Sequence, residues 1–75
     1  MDRVSSLVRS VLAARGWDVA DAARAAKVRA STIERILTGE LPSVHIIHRI
    51  ATPLGVDVEL LADAVQADRS ARAAR

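Results

Sequence analysis

Residues 19–38, VADAARAAKVRASTIERILT, hold two short helical patterns on either side of a tight turn, and Gly39 follows them. Two helices that cross at such a turn need a small residue where they meet. They also need apolar residues bracketing the turn and two more to seat the second helix. Ala23 fills the first place, Ala26 and Val28 the second, and Ile33 and Ile36 the third. The second helix is expected over Ala30 to Leu37, with Ser31, Thr32, Glu34 and Arg35 open to solvent.

Upstream, Val4, Leu7, Val8, Val11 and Leu12 recur with the period of one helical face, which predicts a first helix from about residue 3 to residue 15. Arg15 suits the negative end of that helix, and Gly16 can take the left-handed conformation that stops it. Asp18 then caps the next helix, with Asp21 in the place of the capping-box acid. Trp17, just before the cap, reads as a hydrophobic staple and core plug, the alternative being a platform on which a base could stack.

Downstream, Leu41 and Pro42 make a short loop and Ser43 caps a fourth helix carrying Val44, Ile47, Ile50, Ala51 and Leu54 on one stripe. Pro53 removes a backbone donor and disfavours helical geometry at Thr52, so this helix should kink or finish there, with Gly55 as the stop. Asp57 caps a fifth helix with Val58, Leu61 and Val65 inward. From Asp68 the chain reads DRSARAAR, without apolar bulk to dock. These features predict one all-α domain over residues 1–67 and a basic, frayed tail over 68–75.

The chain has 75 residues and is 51% hydrophobic, which suits one small core and excludes a multidomain enzyme. Cysteine is absent, so neither disulfides nor thiolate metal sites support the fold. No apolar run approaches the roughly 18 residues of a membrane span, and the first residues lack the apolar core of a signal peptide. A cytoplasmic location without a membrane partner is therefore expected. Charge is uneven: residues 3–35 carry a net +4, residues 40–68 a net −4, and the tail adds three arginines. A basic front half makes a polyanion a reasonable partner.

At residues 16–39, GWDVADAARAAKVRASTIERILTG, and 41–61, LPSVHIIHRIATPLGVDVELL, the chain resembles the Cro and phage-repressor type of helix-turn-helix domain, also called xenobiotic-response-element-like. The resemblance runs from about Leu7 to Leu61. It implies a five-helix phage-repressor-like domain whose third helix lies in the major groove of double-stranded DNA, with the second braced across the backbone. On that alignment Ala30, Ser31, Glu34 and Arg35 face the bases, and Arg35 is the strongest candidate because a guanidinium can donate two parallel hydrogen bonds to guanine. Lys27, Arg29, Thr32 and Thr38 fall where the family meets phosphates, and Arg9 or Arg24 would extend the basic surface. Phosphate contacts set affinity and its salt dependence, not sequence.

The chain departs from the family pattern at several positions. Val19 replaces a glutamine that helps grip a phosphate, Lys27 replaces the turn glycine and would have to hold a positive φ or let the turn relax, and Glu40 stands in a loop that is often basic. Leu12 and Leu37 replace an arginine and a glutamate that pair in the interior. Exchanging both partners for apolar residues is often neutral or stabilising, so the same packing and a contact between Leu12 and Leu37 are expected.

His45 and His48 are spaced as two ligands could be, but without Cys or acidic partners they read as surface or packing residues. No metal, cofactor, small-molecule ligand or catalytic constellation is expected. Ile46, His48 and Leu60 lie off the inward stripes and are candidates for a homodimer contact. The implied function is a sequence-specific transcriptional regulator, a repressor acting as a homodimer. The alternative is a protein-interaction module that uses the same scaffold without DNA.

Overall fold

The computed structural model describes residues 2–74. Met1, at the start of the expected domain, and Arg75, at the end of the expected tail, lie outside the described residues. Five helices follow one another: α1 over Arg3–Arg15, α2 over Val19–Ala26, α3 over Ala30–Leu37, α4 over Val44–Leu54 and α5 over Val58–Ala73. Among the described residues there is no strand.

Helix ends form where local chemistry favours them. Gly16 closes α1 at φ 67°, and the N–H of Trp17 reaches back to the carbonyl of Leu12 at 2.9 Å. Asp18 and Asp21 form a reciprocal capping box on α2: the Asp21 N–H donates to the Asp18 carboxylate at 2.8 Å, and the Asp18 N–H donates to that of Asp21 at 3.1 Å. Ser43 and Asp57 cap α4 and α5. Pro53 stands in the last turn of α4, and the chain leaves the helix at Gly55, φ 73°.

The core is built from large side chains on four helices and small ones on the fifth. Val4 and Val8 of α1, Ile33 of α3, Ile50 and Leu54 of α4 and Leu61 of α5 are the largest fully buried side chains. Helix α2 contributes only Ala22, Ala23 and Ala26, which let it approach both α3 and α4 closely. Leu12 is buried where α1 meets the core, and Leu37 packs against the same core from the end of α3. Trp17 is half-buried against it, and the Arg15 guanidinium lies 4.9 Å from the centre of its ring.

Two sequence expectations are corrected. Val44, expected inward, is 70% exposed, while Ile46, expected off the stripe, packs against the core. Ile46 lies one turn before Ile50 on the same row and so flanks the buried face, whereas Val44 is the first residue of its helix. The segment from Asp68, expected as a frayed tail, is helical as part of α5, which continues to Ala73. Asp68 is only 6% exposed and holds the start of α1: its carboxylate accepts the Arg3 and Val4 N–H groups, both at 2.9 Å. Arg72, one turn further on, pairs with Asp2 at 3.2 Å and donates to the carbonyl of Gly39. Polar anchors dock this segment where apolar bulk is lacking.

Candidate nucleic-acid interface

The turn between α2 and α3 is set by Lys27, the one non-glycine residue with positive φ among those described, at φ 57° and ψ 43°. Its left-handed conformation lets the Val28 N–H reach the Ala23 carbonyl at 3.0 Å and points the chain into α3. Arg49 of α4 donates to the Lys27 carbonyl at 3.4 Å and braces the turn from behind. A lysine held here costs about 1–2 kcal/mol relative to glycine.

Helix α3 is sealed on one side and open on the other. Ile33 and Ile36 are buried, whereas Ala30, Ser31, Glu34 and Arg35 are exposed. Ser31, Glu34 and Arg35 stand at the spacing that puts them on one face. Thr32 is half-buried and borders a cleft of about 360 Å³ floored by Ile36, Leu41, Pro42 and Ile46. Thr38 is exposed, and its hydroxyl donates to the Arg35 carbonyl at 2.9 Å, which closes the end of α3.

The cations around this face divide into two groups. Arg9 donates to the carbonyl of Leu37 at 2.8 Å and Arg15 to that of Leu54 at 3.2 Å, so both satisfy the orphan acceptors at a helix end. Arg24 pairs with Asp21 at 2.8 Å. The N–H of Asp18, with the Arg24 guanidinium, holds the Asp21 carboxyl below the ordinary carboxylate range. Lys27 and Arg29, at the start of α3, make no ion pair among the described residues. Arg35 forms one ion pair among the described residues, with Glu40, its Nε 3.8 Å from the carboxylate.

This arrangement is a second helix seated by its isoleucines across a crossing made of alanine, presenting a polar flank. The helix-turn-helix domain family matches the chain over residues 5–64. The chain belongs to that family. No curated protein and no solved structure gives a significant match. The matched span agrees with a Cro or phage-repressor type helix-turn-helix domain, an all-α class of DNA-binding regulators that is in general not enzymatic. Among the described residues no helix is long and apolar enough to cross a membrane, and no group of three His, Cys, Asp or Glu could hold a metal ion. His45 and His48 are both exposed.

The contacts that sequence reasoning missed involve the ends of helices. Asp68 continues the buried row of Leu61 and Val65 at helical spacing, and that periodicity was the available signal. The carbonyls taken by Arg9, Arg15, Arg49 and Arg72 leave no comparable trace, because an exposed arginine in sequence reads the same whether it meets water or a distant helix end.

Proposed function

We propose that this helix-turn-helix domain is a sequence-specific transcriptional regulator, a cytoplasmic repressor that occupies an operator as a homodimer with α3 in the major groove. The observation that carries the proposal is the outward face of α3, where Ala30, Ser31, Glu34 and Arg35 are exposed opposite the buried Ile33 and Ile36. Arg35 supplies the main base contact, bidentate to guanine and worth about 1–3 kcal/mol of discrimination. Ser31 and Glu34 add polar contacts, and Ala30 offers a methyl surface to thymine. Lys27 and Arg29 meet phosphates, with Thr32 and Thr38 as further candidates. Thr38 is the weaker of those two because its hydroxyl proton is already committed to Arg35.

A single small module reads about half a site, and pairing two recognition helices about 34 Å apart along one face of DNA completes it. The exposed Leu60, 55% accessible, and His48 support a self-contact through α4 and α5; Ile46, packed on the core, supports it less. Titration of labelled duplex DNA over a salt series, beside light scattering for mass, tests the proposal. It expects a steep salt dependence, weakening on Arg35→Ala, and a particle of twice the chain mass on DNA. A chain that ignores duplex DNA and binds only another protein would support the interaction-module reading instead.

A further inference from the structure

Among the described residues Glu40 is the one acid that pairs with the exposed guanidinium of Arg35, and the backbone that carries it is held in place. After α3 the chain turns at Gly39, φ 106°, and the Glu40 N–H reaches back to the Arg35 carbonyl at 2.9 Å. A side chain at Gly39 would meet only the movable end of the Asp2 side chain, at 2.7 Å, so it is the left-handed turn rather than the space that calls for glycine there. Arg72 donates to the Gly39 carbonyl from the end of α5 and holds this turn in place. The turn thereby carries Glu40 to the side of Arg35, where its carboxylate forms an ion pair 3.8 Å from Nε, longer than a hydrogen bond, with both side chains more than 60% exposed.

Contact at Nε leaves the two Nη atoms of the guanidinium uncommitted. A carboxylate at the inner edge favours side-chain conformations that project the outer edge, with its fork of donors, away from the protein. The same negative charge, next to the exposed face of α3, opposes phosphates of any sequence. These two effects act in one direction: the first strengthens base reading, and the second weakens indifferent binding.

We infer that Glu40 is a specificity-setting residue, positioning Arg35 for end-on contact with a guanine while lowering the affinity of the domain for DNA in general. The inference rests on the DNA-binding reading above and assigns Glu40 a role through Arg35, not a base contact of its own.

Glu40→Gln keeps the side-chain shape, removes the charge and lies on the surface. Binding of wild type, Glu40→Gln, Arg35→Ala and the double variant is measured on a duplex selected from random sequence and on a scrambled duplex of equal length. Glu40→Gln is expected to bind the scrambled duplex about threefold tighter, an effect that fades as salt rises. The ratio of selected to scrambled affinity should fall about two- to fivefold, the range of an exposed ion pair. In the Arg35→Ala background the same exchange should still tighten scrambled binding but leave the ratio unchanged. A ratio that Glu40→Gln leaves intact or raises, or that falls equally without Arg35, overturns the inference while the DNA-binding reading stands. A wild type that binds neither duplex overturns both.

Discussion

The Asp68 carboxylate accepts the backbone N–H of Val4 at 2.9 Å, joining residues 64 positions apart and capping the first helix with the last. The Arg3 N–H binds the other carboxylate oxygen, so one side chain satisfies two of the orphan donors at the start of α1, where Asp2 makes no side-chain cap. An anion at a helix N-terminus is also favoured by the helix dipole. Asp68→Ala is expected to lower stability by about 2 kcal/mol, combining a lost cap with unsatisfied donors. Thermal or urea unfolding followed by circular dichroism measures this, and an unchanged midpoint would mean that the contact is absent in solution.

The same carboxylate makes stability depend on acid. Burial pushes the Asp68 pKa up, but the N–H groups of Val4 and Arg3 and the charges of Arg72 and Arg3 outweigh it, so the net displacement is below the ordinary value. A lowered folded-state pKa contributes stability that is fully present above the unfolded value of about 3.9 and is lost as pH falls through the folded value. Wild type should therefore lose more stability on acidification than Asp68→Asn. Unfolding midpoints of the two proteins from neutral pH to below pH 4 should converge; parallel curves would count against the displacement.

Lys27 separates stability from binding. Its left-handed backbone is strained for a lysine and natural for glycine; the extra entropy that glycine loses on folding offsets part of the strain relieved, so Lys27→Gly should stabilise the fold by a net of roughly 0.5–1 kcal/mol. Removal of a cation from the start of α3 should at the same time weaken duplex binding at low salt. Unfolding and binding measured on one preparation check both signs, and a less stable Lys27→Gly protein would contradict the assigned backbone.

Arg9 and Arg29 should behave in opposite ways although both are exposed arginines in the basic half. Arg9→Ala removes the hydrogen bond to the Leu37 carbonyl and is expected to cost about 1 kcal/mol of stability with little change in the salt dependence of binding. Arg29→Ala should leave stability within about 0.5 kcal/mol and reduce the salt slope by about one. Slopes from a salt series distinguish the two.

Much of the fold was legible because its determinants are local. Gly16, Asp18, Ser43, Gly55 and Asp57 each bound a helix through their own backbone freedom or side-chain oxygen, and the structure ends or starts helices at those residues. Lys27 stands at the family's turn glycine, which leaves a left-handed backbone or a relaxed turn open, and the structure has the left-handed one. The polar flank of α3 was readable because Ile33 and Ile36 fix which side is buried. The anchoring of α5 was not, since Asp68 and Arg72 act on residues at the other end of the chain and on the loop after α3. The Arg35–Glu40 relationship escaped for a similar reason: the turn at Gly39 brings the two together, and their spacing in sequence does not show it.

The most direct measurement is a map of backbone amide chemical shifts in the presence of a selected duplex. The largest changes are expected at Lys27, Arg29, Ala30, Ser31, Glu34 and Arg35, and they should vanish at high salt. Changes centred instead on the exposed parts of α4 and α5, or none at all, would contradict the claim that the outward face of α3 reads DNA.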